Sequence, residues 1–462
     1  MKERGFRRAW RIGLVAALLP AAIGSAAQTA LHWGGSVTRD PATRVAPQQL
    51  PAPLPEPQAG DARPLPAAFD VRRFEAVAQE MVADGRIPGL AMAIVHDGRI
   101  LSARGYGVTD AQHPQPVDAH TVFRLASLSK SFAGTVTGML VNDGLLRWDS
   151  HVTDYLPEFQ LSRPGAAQQL TIAELLSHRV GLTRNAYDRD LEGNAAYRAL
   201  TRRLADAPMT CAPGECYAYQ NVAFSLVGDM VFAATGRFYS EEVARRIFKP
   251  LGMHDASYGL DGIEASARWA RPHVRGRGGW VSLTPKPTYY RVAPAAGVNA
   301  SISDMAQWLI AQTGHRPDVL PAPLLATLHA PLIDTPGETR GSSWRRARLS
   351  SAGYALGWRV YDYSGHEVVF HGGAVQGYRG AMALLPERDL GVVMLWNSES
   401  ALPSGLLPTI LDSALGLTDG QWLDDDFDLP ETLYAGRPAQ APTDTARTPP
   451  GTDASSANAS PF

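Results

Sequence analysis

The chain has 462 residues, of which 45% are hydrophobic and 19% charged, and its formal net charge is −2. This is ordinary globular material, long enough for one large domain or two. With no basic excess to neutralise phosphates, nucleic acid is excluded as the main partner.

The N-terminus does not read as fold. Lys2, Arg4, Arg7, Arg8 and Arg11 precede a largely apolar run over residues 12–23, followed by Gly24-Ser25-Ala26-Ala27. That charged, apolar, small-residue order predicts a secretory signal over residues 1–27, cut near Ala26 or Ala27, and hence an exported protein, periplasmic or secreted. The Arg7-Arg8 pair followed by Trp10 leaves twin-arginine export open beside the general route. An uncleaved anchor is the second reading, and the membrane would then be touched only through this segment. The run is shorter than the ~20 residues a spanning helix needs, and Pro20 interrupts it. No cysteine follows it, so no lipid anchor is indicated.

Residues 28–66 are rich in Pro and Ala, as in Leu50-Pro51-Ala52-Pro53-Leu54-Pro55, and read as an extended linker. Residues 67–418 are the expected globular domain. Residues 419–462 carry Asp424-Asp425-Asp426 and then run out in Pro, Ala, Ser and Thr, the composition of a disordered tail.

Within the domain, Phe74, Val77, Met81 and Val82 have helical spacing over residues 69–84. Apolar runs at 90–95 and 100–106 flank Asp97-Gly98, a hairpin signal. The middle, from about 125 to 315, reads as mainly helical, with helices expected at 172–178, 221–235, 240–248 and 302–312. Cys211 and Cys216 flank Ala212-Pro213-Gly214-Glu215, where Pro then Gly fits a type II turn that brings the two thiols close. In an exported protein that predicts a disulfide; a metal pair would lack nearby partner ligands. Strands follow at 357–363, 367–371, 378–385 and 391–396, separated by short turns that imply antiparallel neighbours. The expected class is α/β (α+β): an antiparallel sheet built from the N- and C-terminal segments, flanked by helices, with a mainly helical region inserted between its halves.

The chemistry begins at Ser127-Leu128-Ser129-Lys130. Lysine occurs only at positions 2, 130, 249 and 286 among 43 basic residues. Arginine stays protonated, whereas a buried lysine can lose its proton, so a lysine retained one turn after a serine suggests a base. Leu128, Phe132, Val136, Met139 and Leu140 form an apolar stripe, and Asn142-Asp143-Gly144 ends the helix. Ser127 then sits at the helix start, where free N–H groups favour developing negative charge. A plain N-cap role for Ser127 is compatible with the same placement.

Three short motifs in order make the chain resemble the class C β-lactamase and penicillin-binding-protein superfamily of serine hydrolases, which also holds D,D-peptidases, D-aminopeptidases and family VIII esterases. They are Ser127-x-x-Lys130, Tyr219-Gln220-Asn221 and His371-Gly372-Gly373. Supporting stretches are Leu175-Leu176-Ser177-His178-Arg179-Val180-Gly181-Leu182, and Pro294-Ala295-Ala296-Gly297-Val298-Asn299 leading into Asp304-Met305-Ala306-Gln307-Trp308. The resemblance covers residues 70–415.

It implies that Ser127 is acylated, that Lys130 activates it, and that Tyr219 shuttles the proton with a phenol of lowered pKa. Tyr217 competes for that role. Asn221 would orient Lys130 and bind a substrate carbonyl, with His371, Gly372 and Gly373 along the substrate. The backbone N–H groups of Ser127 and Ala374 would form the oxyanion hole. No metal or cofactor is implied. The partner is a small-molecule or peptide acyl substrate, peptidoglycan-derived peptides included. His366 and His371 stand an odd number of residues apart on a strand, which places them on opposite faces and disfavours a shared metal.

Two departures stand out. His371 occupies the place where β-lactamases proper carry a lysine that reads the substrate carboxylate, which favours an esterase, peptidase or amidase. Arg179-Val180 replaces the family's Thr-Ser in the Ser-His-x-x-Gly stretch. The alternative is a catalytically inactive penicillin-binding or peptidoglycan-sensing domain, and a third reading is a scaffold using its Pro-rich ends.

Overall fold

In the computed structural model, which describes residues 62–418 and 420–423, Asp97 and Gly98 both have positive φ, 51° and 65°. That is the backbone of a two-residue hairpin turn. It joins β1 (Gly89–His96) to β2 (Arg99–Gly107). The remaining strands of the main sheet come from the other end of the domain: β3 (Ile333–Asp334), β4 (Leu349–Tyr354), β5 (Arg359–Tyr363), β6 (His366–Val375), β7 (Tyr378–Leu385) and β8 (Leu390–Trp396). Their order is β2-β1-β8-β7-β6-β5-β4-β3, with every neighbouring pair antiparallel. β1 and β8 pair from Leu90↔Trp396 to His96↔Leu390, which closes the two terminal segments into one sheet. The expected architecture is therefore the observed one.

Alternation along these strands builds a core on each face. Ala91, Ala93, Val393 and Leu395 face one core, with Phe132 and Trp308. Leu90, Met92, Val392 and Met394 face the other. That second core is covered by α1 (Val71–Ala83), capped by Asp70, and by α5 (Leu406–Leu415). Between β2 and β3 lies the mainly helical region, which includes α2 (Ser129–Asn142), α3 (Leu226–Thr235) and α4 (Ile302–Ile310). Helix α2 is its centre. Phe132 stacks on Trp308 of α4 at 4.0 Å between ring centroids and meets Phe248 edge-on at 5.7 Å.

Several boundaries differ from expectation. β6 is longer than 367–371 and runs through both glycines, because Ala381 and Gly380 of β7 pair with Gly372 and Gly373. α3 begins at Leu226 rather than 221, since residues 221–225 are turns around Asn221. The end of the expected linker is held: Arg63 N–H donates to Glu387 O at 2.8 Å, and Arg388 donates to Pro64 O at 2.6 Å. So is the start of the expected tail, where Trp422 Nε1 donates to Asp412 Oδ2 at 2.8 Å. The expected signal, the linker before residue 62 and the tail beyond 423 lie outside the described residues.

Cys211 and Cys216 are bonded. Gly214 has φ 86° and Glu215 N–H donates to Ala212 O at 3.2 Å, the type II turn that the Pro-Gly pair predicts. Reducing so short a loop is expected to cost about 2 kcal/mol in the chain-entropy account. Melting curves with and without reductant test this: the transition shifts down by a few degrees while the domain stays cooperative.

Candidate active site

Ser127 lies in a short 3-10 turn, Ala126–Leu128, that feeds directly into α2. Ala126 is held at φ 50°, a left-handed conformation that costs a non-glycine residue about 1–2 kcal/mol. Such strain persists only where surroundings over-determine it. Here Leu125 N–H is fixed on Val298 O at 2.9 Å, and Leu128 N–H on Leu125 O at 3.2 Å. Strand β6 then presses on the turn. A Cβ on Gly373 would lie 2.5 Å from Leu125 O, 2.6 Å from Leu128 Cδ1 and 3.2 Å from Ser127 N. Only glycine allows this approach.

One turn later, Lys130 is fully buried. Its Nζ lies 2.7 Å from Asn221 Oδ1, 3.1 Å from Ala295 O and 3.3 Å from Ser127 Oγ. Burial pushes its pKa well below the usual lysine range; Asp188 opposes this and Arg359 adds to it. A neutral amine has two hydrogens and one lone pair. In that neutral form Asn221 Oδ1 and Ala295 O take the two hydrogens, which would turn the lone pair toward Ser127 Oγ. Asn221 is itself oriented by donating Nδ2–H to Asp188 Oδ2 at 2.7 Å. Burial pushes the Asp188 carboxyl up to about 6, against the pull of that hydrogen bond and of Lys130.

Tyr219 shares a hydrogen bond with Ser127, and Lys130 Nζ sits 4.5 Å from its ring centroid. Burial pushes its phenol up, while the Ser127 hydrogen bond and the charge of Arg359 oppose that rise. The expected lowering is thus reversed: Tyr219 keeps its proton. Lysine down and tyrosine up is the separation that divides a base from an acid. Tyr217 is placed behind, edge-on to His178 at 5.9 Å and beside Tyr354 at 5.5 Å, rather than on Ser127.

His371 also departs from expectation. It is 1% exposed, with Nε2 3.1 Å from Tyr354 Oη and Nδ1 2.8 Å from Gly372 O. Burial, helped by Arg359 and Lys130, holds its pKa well below the usual histidine value. With both nitrogens engaged and no charge, it has no free polar atom to present, whereas Gly372, Gly373 and Ala374 border open space. β5 pairs with β6 only from Tyr363↔His366 to Arg359↔Phe370, so among the described residues the edge over 371–375 has no strand partner on that side.

That edge borders a cleft of about 850 Å³, counting the space open at its mouth. Tyr219, Gly372, Gly373 and Ala374 line it, while Ser127 itself is not in its lining; Trp344, Phe370 and Trp396 add aromatic wall. Arg359, also in its lining, lies 5.7 Å from the Tyr219 ring and pairs with Glu338 Oε1 at 2.5 Å. Asp188, Tyr354, Arg359 and Glu338 carry no sequence motif: Asp188 and Glu338 sit among other charged and polar residues, and only Arg359, between Trp358 and Val360, interrupts an apolar stretch.

The family model described as Beta-lactamase matches residues 74–414. The unguisins hydrolase of Aspergillus campestris is 26% identical over 400 residues, which span 82% of this chain and 73% of that protein. Among solved structures, the octameric penicillin-binding protein homologue from Pyrococcus abyssi is similar with a TM-score of 0.67 at 24% identity, over 78% of this chain and 79% of that one. The D-amino acid amidase from Ochrobactrum anthropi SV3 gives 0.60 at 22%, over 75% and 98%. The two structures share the fold, and the family match spans almost the whole domain. The chain is a hydrolase of the β-lactamase fold and belongs to the β-lactamase family.

Proposed function

We propose that this is an exported serine hydrolase that forms an acyl-enzyme on Ser127 and acts on ester or amide acyl groups, as an esterase or a D,D- or D-amino peptidase rather than a β-lactamase proper. The observation that carries the reading is the Lys130 amine, buried, with both hydrogens accepted by Asn221 Oδ1 and Ala295 O and its lone pair left for the Ser127 proton. Ser127 Oγ attacks the acyl carbon as its proton passes to Lys130. The oxyanion rests on the N–H groups of Ser127 and Ala374. As the bond to the leaving group breaks, Tyr219 donates its proton to the departing oxygen or nitrogen and recovers one from Lys130. Water then releases the acyl group by the same groups in reverse.

A neutral, buried His371 offers no cation to a β-lactam carboxylate, which supports the choice of substrate class. A neighbour named as a D-amino acid amidase supports an amide. Export rests on the signal-like order of residues 1–27 and on the Cys211–Cys216 bond, which belongs to oxidising compartments.

Labelling with a fluorophosphonate, with the adduct mapped by mass spectrometry, tests the nucleophile; an adduct on any residue but Ser127 overturns it. Rates on a short acyl ester, a D-Ala-D-Ala peptide and nitrocefin test the class. The ester or the peptide is expected to lead nitrocefin by at least about tenfold, and nitrocefin as the fastest substrate overturns the preference. Gly373→Ala is expected to fold and to lose about a hundredfold in kcat/KM, because its Cβ meets backbone and Leu128 and forces β6 off the Ser127 turn.

A further inference from the structure

The buried groups that the chemistry above leaves unused form one chain. His178 Nε2 is 3.1 Å from Tyr354 Oη, and Tyr354 Oη is 3.1 Å from His371 Nε2. Gln220 N–H donates to His178 Nδ1 at 3.2 Å, and His371 Nδ1 meets Gly372 O at 2.8 Å. All three side chains are buried, at 0%, 0% and 1% exposure.

Both ends of this chain fix its protons. A backbone N–H can only donate, so His178 Nδ1 is the acceptor and the proton is on Nε2. That N–H donates to Tyr354 Oη, whose single proton is then free for His371 Nε2. A backbone carbonyl can only accept, so His371 carries its proton on Nδ1 and leaves Nε2 bare. The two deductions start from opposite ends and agree at the tyrosine. A second proton on His371 would set its Nε2–H against the Tyr354 hydroxyl proton, and one on His178 would set its Nδ1–H against the Gln220 N–H, both in a buried site where such a mismatch is costly.

The ends of the chain lie on the catalytic elements. His178 holds the Tyr219 loop at three points: its carbonyl accepts Ala218 N–H at 3.0 Å, its Nδ1 accepts Gln220 N–H, and its ring lies 4.3 Å from the Tyr219 ring. It does so from a left-handed backbone, φ 59°, which marks an over-determined position. His371 is the residue next to Gly372 on the strand that meets Ser127.

We propose that Tyr354 is a positioning residue: its hydroxyl bridges His178 and His371, whose tautomers the backbone at either end fixes, and thereby locks the Tyr219 loop and strand β6 into one register around Ser127. This rests on the acyl-enzyme reading for its effect on rate, while the tautomers themselves do not. It gives His371 a part that a lysine could not play, because an ammonium has no acceptor to offer the tyrosine proton.

Nitrogen-15 NMR of the histidines at pH 7 reads the chain without substrate. The expected result is Nε2–H for His178 and Nδ1–H for His371, with the His371 signal assigned by its loss in His371→Gln. The opposite tautomer at either residue overturns the proposal, whatever the activity. Tyr354→Phe is expected to lower kcat by about ten- to a hundredfold, with KM within about twofold. His371→Gln keeps an acceptor for Tyr354 and is expected to retain kcat within a fewfold, whereas His371→Leu falls with Tyr354→Phe. Equal kcat for wild type and Tyr354→Phe, or equal losses in His371→Gln and His371→Leu, overturns it; the His371 pair serves if Tyr354→Phe fails to fold. A wild type that carries the expected tautomers and yet takes no label on Ser127 would count against the acyl-enzyme reading alone.

Discussion

Ser127→Ala is expected to lower hydrolysis by about 10⁴-fold or more, to the residue of catalysis that binding and the oxyanion donors supply. Lys130→Arg is expected to be as damaging, which is the sharper result. A guanidinium keeps the positive charge, and it has hydrogens to spare for Asn221 Oδ1 and Ala295 O. It cannot give up a proton to become a base. If Lys130 acted only as a fixed cation, arginine would preserve much of the rate. The pH profile separates the two roles further. Burial places the Lys130 pKa well below the usual lysine range, so the wild-type rate rises as pH passes upward through that lowered value and is flat before an ordinary lysine would titrate. Steady-state rates from pH 5 to pH 10 on the best ester check this. A rate that climbs only where free lysines lose their protons, or a Lys130→Arg enzyme of near wild-type activity, would remove Lys130 as the base.

The groups proposed to react were legible in the sequence because they are local. Ser127 and Lys130 are one helical turn apart, and Tyr219 and Asn221 are two residues apart, so spacing alone aligns each pair. The closure of the sheet was legible for the same reason: alternation and tight turns are written residue by residue. The groups that tune the reactive ones were not. Asp188, Glu338 and Arg359 look like ordinary charges on a short helix, a 3-10 turn and a strand, and it takes the fold to bring Arg359 to both Glu338 and the Tyr219 ring. Helix α2 was read as amphipathic from Leu128, Phe132 and Val136. In fact its other side is buried too, because Ser131 and Thr137 donate to their own helix carbonyls, Leu128 O and Ala133 O, and need no water. His371 was read by residue type as a weak cation. Its neutrality follows from burial and from the charges of Arg359 and Lys130, which the fold brings in from strand β5 and helix α2.

Glu338→Gln is expected to destabilise the domain by about 3–5 kcal/mol at pH 7, the usual result of removing one member of a buried ion cluster. Glu338 Oε2 accepts from Arg345 at 2.5 Å and from Tyr361 Oη at 3.0 Å, while Oε1 pairs with Arg359 at 2.5 Å. Burial alone would raise its pKa, but Arg359 and Arg345 overcome that and hold it at about 2, against 4.5 for an ordinary glutamate. A carboxyl whose folded pKa lies below its unfolded one binds more protons when unfolded, so stability rises with pH across that window. The contribution, about 3 kcal/mol at 1.36 kcal/mol per unit, is complete above roughly pH 4.5 and drains away as pH falls toward 2. Glutamine carries no such dependence. Urea unfolding of both proteins should therefore show a gap that narrows by about 2 kcal/mol between pH 7 and pH 3, and a gap that stays constant would mean that Glu338 is not held ionised by the two arginines. The same variant reaches the chemistry. Arg359 already depresses the Lys130 pKa, and stripping away its counter-charge leaves more positive potential beside Lys130 and Tyr219. The rising limb of the rate profile in Glu338→Gln is then displaced to lower pH than in the wild type, so one carboxylate outside the catalytic set governs both how firmly the domain holds in acid and where its base begins to work.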